Sequence, residues 1–156
     1  MKIKIRLLND NEKPPMDLLL LADPSKDTIE EYLKRGDCYV ATDDSDNVIG
    51  VIVLLPTRPE TLEIINIAVY EDYQGKGIGK QLVSFAIQKA KEKKIKTLEV
   101  GTGNSSIDQI AFYQKCGFRI TGVDRDFFVR HYKEEIYENR IQCRDMIRFS
   151  MDLSNI

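Results

Sequence analysis

The chain has 156 residues, 42% of them hydrophobic and 31% charged, with a formal net charge of −2. That balance fits one globular domain over 1–156 with a core of its own, and it lacks the basic excess that a nucleic-acid partner selects. The apolar run 18–21 is far too short to span a bilayer and no signal-peptide pattern opens the chain, so the expectation is a cytoplasmic protein with no membrane partner.

Residues 2–8 alternate as a strand, and Pro14-Pro15 followed by the apolar stretch 16–22 reads as a short helix, proline being tolerated in a first turn. Ser25 caps a second helix over 28–33, which Gly36 is expected to close. Strands follow at 38–42 and 48–55, joined by the acidic turn 43–47. Leu62, Ile64, Ile65, Ile67, Ala68 and Val69 form a further apolar run, read as a buried strand. After a glycine-rich segment, Ile78, Leu82, Val83, Ala86, Ile87 and Ala90 recur at helical spacing. The lysines between 89 and 96 fall on and beyond the outer end of that helix and read as a solvated face. A short strand at 98–100 leads to Ser105-Ser106-Ile107-Asp108, a capping-box start for a helix bearing Tyr113. Strands at 119–123 and 143–153 close the chain; in the last, Ile147, Phe149, Met151 and Leu153 mark one buried face. The sum is an α/β (α+β) domain around a twisted sheet. Cys38, Cys116 and Cys143, odd in number and widely spaced, suit neither a disulfide framework nor a zinc site and read as reduced packing residues, with no metal expected.

The informative segment is Gln74-Gly75-Lys76-Gly77-Ile78-Gly79, placed between a strand and an amphipathic helix. Glycines let successive amides converge on one point, and the helix that follows adds its unpaired N–H groups and the positive end of its dipole. Such a junction holds phosphate. A Walker loop needs a glycine where Gln74 stands and a Ser or Thr where Gln81 stands, so that reading fails twice. A dinucleotide fingerprint begun at Gly75 ends on Lys80 instead of glycine, with Glu99 as the only nearby acid.

The pattern that does fit is Gln/Arg-x-x-Gly-x-Gly/Ala, filled by Gln74, Gly77 and Gly79. It resembles the acetyl-coenzyme A pyrophosphate loop of the GNAT superfamily of N-acetyltransferases. The resemblance runs over roughly residues 37–123, with Ile67-Ala68-Val69 before the loop, Asn104 after a short strand, and Tyr113 ahead of Gly117-Phe118. The whole chain is similar to uncharacterised bacterial members of the superfamily. Where the common pattern has Asn and Ala before the tyrosine, this chain has Ser106 and Gln109, and Asn104 lies two residues earlier than the usual Asn.

The resemblance implies the GNAT fold, a central mixed, mostly antiparallel sheet of about seven strands flanked by about four helices. It implies acetyl-CoA as co-substrate, held by the backbone of Ile67, Ala68 and Val69, by Gln74, Gly75, Lys76, Gly77, Ile78, Gly79 and Lys80, and by Asn104 and Tyr113. The activity it implies is acetyl transfer to an amine, most simply that of a small molecule. Transfer to protein lysines or N-termini, and a non-catalytic coenzyme A-binding module, are the alternatives. An aliphatic amine with a pKa near 10.4 costs roughly 4 to 5 kcal/mol to hold neutral at pH 7, so a base is useful. Glu63, eleven residues before Gln74, stands where histone-type members carry a catalytic Glu, and Tyr113 stands where the family protonates the leaving sulfur. By the same resemblance, residues 16–25 and the segment carrying Asp124, Asp126, His131, Tyr132, Glu134 and Glu135 border the acceptor. A homodimer is compatible with the family, although no apolar stripe demands one.

Overall fold

The computed structural model describes residues 2–154. It separates into two compact units, one ending at Ile95 and the other beginning at Lys96. The first holds β1 (Lys4–Leu7), α1 (Met16–Ala22), α2 (Lys26–Leu33), β2 (Asp37–Thr42), β3 (Val48–Arg58), β4 (Thr61–Val69), a single 3-10 turn over Glu71–Tyr73, and α3 (Ile78–Glu92). The second holds β5 (Thr97–Gly103), α4 (Ile107–Lys115), β6 (Arg119–Asp124), α5 (Phe127–His131), β7 (Tyr137–Glu138), β8 (Ile141–Gln142) and β9 (Met146–Asp152). The expected α/β architecture and seven-stranded sheet are present. Five α-helices form among the described residues, one more than expected.

In the first unit the strands run in the order β1-β2-β3-β4, each antiparallel to the next. One face of this sheet carries Val40, Val51, Val53 and Leu55, on which Leu18 and Leu19 of α1 and Ile29 and Tyr32 of α2 pack. Burying such side chains contributes about 1.5–3 kcal/mol each relative to exposure and holds both helices down. The opposite face receives α3. A Cβ placed on Gly50 would come within 3.3 Å of Leu82, so glycine here allows the helix its close approach. The β3–β4 register shifts twice: Val53 faces Asn66 but Leu54 faces Ile64, leaving Ile65 as an extra residue on β4, and Pro56 faces Leu62 but Arg58 faces Thr61, leaving Thr57 as an extra residue on β3.

In the second unit β9 lies between β5 and β6, antiparallel to both. Tyr113, Phe118 and Phe149 are buried together, and β7 and β8 form a separate hairpin.

Three local expectations are corrected. Gly36 is not a left-handed helix stop; a Cβ there would lie 2.8 Å from the Leu54 carbonyl oxygen, so its role is close packing against β3. Ser106 is the N-cap of α4, but its side chain caps nothing in the helix and instead lies 2.7 Å from a Glu138 oxygen. The last strand begins at Met146, not 143, because the Cys143 amide donates to the Ile136 carbonyl and the amides of Arg144 and Asp145 donate to the Asn104 side chain instead of a strand partner. Ser25, by contrast, caps α2 as the sequence predicts, accepting from the Thr28 amide at 3.2 Å.

Candidate active site

Most of the predicted site residues follow one another along β4, the glycine turn and α3 in the first unit. The Tyr70 amide donates to the Ile49 carbonyl at 3.1 Å. Because an antiparallel ladder alternates, this bond sets Ala68 and Tyr70 as the residues bonded to β3 and turns the N–H and C=O groups of Ile67 and Val69 away from it. The Gln74 side chain donates to the Val69 carbonyl at 2.9 Å, tying the start of the turn to the end of the strand.

The turn has the conformation that its glycines were predicted to permit. Gly75 and Gly77 sit at φ of +77° and +82°, and nothing stands within 4 Å of a Cβ built on either. Gly77 is the N-cap of the fifteen-residue α3 and supplies no side chain to its first turn. The opening amides of a helix have no partner within it, and they carry the positive end of its dipole. Ile78 is anchored in the core, while Lys76 and Lys80 are exposed beside the turn. Lys76 lies 5.4 Å over the Tyr73 ring. Open space at two left-handed glycines before an uncapped helix fits a pyrophosphate, which needs close backbone approach and several convergent donors.

Glu63 faces Leu55 across the β3–β4 pair and is half-buried. Residues directly opposite share a face, so Glu63 lies on the α1 and α2 side of the sheet with Leu55. Leu55 and Ile65 also line a cavity of about 380 Å³, together with Asp27, Thr28, Glu31 and Tyr32 of α2 and Arg35 just beyond its end. That is a volume suited to a small molecule. Glu31 is engaged by Arg35 at 2.7 Å across one helical turn.

Asn104 and Tyr113 belong to the second unit. Tyr113 is 4% exposed, its ring packed against Phe112, Phe118 and Phe149 with centroids at 5.4, 6.0 and 5.6 Å. Burial pushes the phenol above its usual range, so it stays protonated. Asn104 is a staple for the segment before β9: its side-chain oxygen accepts from the amides of Arg144 at 2.8 Å and Asp145 at 2.9 Å, and its nitrogen donates to the Gln142 carbonyl. Both lone pairs are engaged, which commits the oxygen to holding this segment, while the side-chain nitrogen keeps a second N–H. Asp124 binds Arg130 at 2.9 Å and lies 3.6 Å from Arg148, and Asp126 binds Arg144 at 2.8 Å, so neither is a free attractor for an amine. His131 is exposed with its ring 4.7 Å from Phe127, Tyr132 is half-buried, and Glu134 and Glu135 are exposed.

Sequence reasoning passed over a buried polar chain beside the cavity. Asn66 is 3% exposed, and its side-chain nitrogen donates to the Leu19 carbonyl at 3.0 Å and the Tyr32 hydroxyl at 2.8 Å. The Tyr32 hydroxyl in turn donates to Asp23 at 3.3 Å, and burial raises its pKa. The Asn66 side-chain oxygen is buried without a partner among the described residues. The signal was available as a single amide in the apolar run Leu62–Val69, where nothing but a specific bond justifies it.

Comparison with known proteins places this geometry. A curated relative from Bacillus subtilis, "Uncharacterized N-acetyltransferase YvbK", is 59% identical over 152 residues, covering 97% of each chain. A crystal structure of a GNAT family acetyltransferase from Elizabethkingia anophelis with acetyl-CoA bound superposes with a TM-score of 0.95 at 50% identity, covering 97% of this chain and 98% of that one. A Bacillus subtilis acetyltransferase in complex with CoA gives 0.91 at 59% identity, covering 97% and 99%. The model of the acetyltransferase (GNAT) family matches residues 7–118, which contain the glycine turn, Glu63 and Tyr113, and the chain belongs to that family.

Proposed function

We propose that the chain is an acetyl-CoA-dependent N-acetyltransferase that moves the acetyl group directly onto the primary amine of a small molecule. The observation that carries this reading is the pair of left-handed glycines opening onto the uncapped N-terminus of α3. The amides of residues 75–80 hold the pyrophosphate, with Lys76 and Lys80 adding positive charge beside it. The outward-turned groups of Ile67 pair with the amide-bearing arm of the co-substrate, and the outward-turned N–H of Val69 is left for the reacting carbonyl. Ala68 contributes by anchoring β4 in the core under them. When bound, the co-substrate supplies an activated thioester.

Glu63 takes the proton from the acceptor ammonium, and the neutral nitrogen attacks. The Val69 N–H stabilises the negative oxygen that develops, Tyr113 gives its phenolic proton to the departing sulfur, and the proton lost by the acylated nitrogen restores the phenol. The small size of the acceptor is supported by the cavity lined by Leu55 and Ile65, on whose face Glu63 lies. Both units serve one domain on this reading, which the family match across residues 95 and 96 supports.

Calorimetric titration with acetyl-CoA tests the reading, on the parent chain and on Gly77→Glu. Micromolar binding that the added carboxylate abolishes is expected; a parent chain that binds no acetyl-CoA overturns the proposal. Screening of small amines with a thiol-release assay then tests the acceptor, and turnover confined to peptides would replace the small molecule with a protein substrate.

A further inference from the structure

The polar groups that line the cavity beside α2 are not equally free. Leu55 is buried and Ile65 half-buried, and together they offer an occupant apolar surface. The Tyr32 hydroxyl accepts from Asn66 at 2.8 Å and donates to Asp23 at 3.3 Å, and the Thr28 hydroxyl lies 2.8 Å from the Ser25 oxygen. Glu31 and Arg35 neutralise each other at 2.7 Å. Asp27 is exposed, and among the described residues its carboxylate has no partner. Two carboxylates against one guanidinium leave the lining with one uncompensated negative charge, and Glu63 adds a carboxylate on the same face of the sheet.

We infer that the acceptor is a diamine, whose chain lies along Leu55 and Ile65 and whose second, protonated nitrogen is held by Asp27. The inference rests on the acetyl-transfer reading, which sets the reacting amine beside Val69. Ile65 precedes Val69 by four residues, about 13 Å of extended strand at roughly 3.3 Å per residue. The two nitrogens are therefore on the order of 10 Å apart, and the methylenes between them cover the apolar lining. A distal anion is disfavoured, because Arg35, the cation of the lining, already serves Glu31. A neutral polar tail gains nothing from Asp27. An exposed carboxylate contributes only a few-fold to binding, so what Asp27 supplies is choice among amines of similar length.

Three acceptors of one length isolate the distal group: octamethylenediamine, the matching amino alcohol and the matching amino acid. In a thiol-release assay with acetyl-CoA, kcat/KM for the diamine should exceed that for the amino alcohol about fivefold, with the amino acid below both. The preference should shrink as salt is added. Asp27→Asn should abolish it, and Asp27→Lys should reverse it in favour of the amino acid. Arg35→Gln leaves Glu31 uncompensated and should raise the preference above the parent's, a gain that damage to the fold does not produce. Each figure is a ratio measured on one protein, so a general loss of activity cancels. Ethylenediamine is too short to reach Asp27, and its rate relative to the amino alcohol should be the same in parent and Asp27→Asn. Turnover without preference for the long diamine, or a preference that survives Asp27→Asn, overturns the inference and leaves the acetyl-transfer reading standing. Turnover of none of the three overturns it as well, and calorimetry with acetyl-CoA then decides whether the reading beneath it also falls.

Discussion

Tyr113 has its hydroxyl on a ring enclosed by Phe112, Phe118 and Phe149, and that enclosure determines its charge state. A phenol whose pKa is raised by burial is neutral below the unfolded value near 10 and remains so above it. In the proposed role it is therefore ready to donate across the whole working range. Tyr113→Phe should lower kcat by about a hundredfold with little change in acetyl-CoA affinity, measured by steady-state kinetics beside calorimetry. Asn66 shows the other kind of buried polar residue, one that ties elements together. Asn66→Ala removes the donors to Leu19 and Tyr32 and should cost about 1–3 kcal/mol of stability in urea unfolding. Ser25 and Ser106 show how far single residues are legible. The first caps a helix with a partner three residues away, within the reach of sequence reasoning. The second is drawn off by Glu138, 32 residues along the chain, which no local pattern announces.

At the level of elements, periodicity located what was long enough to have a period. The helix α3 shows five buried residues at helical spacing, and β4 shows a continuous apolar run; both were predicted almost to their ends. The five-residue α5 has less than two turns and starts from Asp126 at φ +61°, so no repeat betrays it. The β7–β8 hairpin was missed for a related reason. Its two-residue turn puts Asn139 at φ +54° and Arg140 at +63°, a conformation usually signalled by Asn-Gly, and arginine conceals the signal. Arg140→Gly should relieve the strained position and raise stability by about 0.5–1 kcal/mol, read as a higher urea midpoint at unchanged slope. The bulge at Ile65 also escaped notice, since an extra residue in a fully apolar strand leaves the sequence pattern intact.

Acid stability is a property of the whole molecule to which a few surface carboxylates contribute. The Arg6 guanidinium bonded to Glu12 at 2.6 Å holds that carboxyl down to about 2, and Asp43 and Asp152 lie below the usual range through hydrogen bonds to their own loops. A depressed folded pKa contributes stability that is complete above the unfolded value near 4.5 and is lost as pH falls toward 2. Glu12→Gln should therefore lower stability at pH 7 and flatten its fall between those two values, measured by urea unfolding at a series of pH values. The sequence by itself determined the α/β class, the order of the longer elements and the glycine turn before α3, because apolar period and glycine conformation are local properties of the chain. Only the tertiary structure decided that Asn104 is a staple, that Asp124 and Asp126 are committed to arginines, and that Asn66 joins two helices to β4. Those outcomes depend on which distant residues meet, and a hydrogen bond or ion pair between them has no period to read.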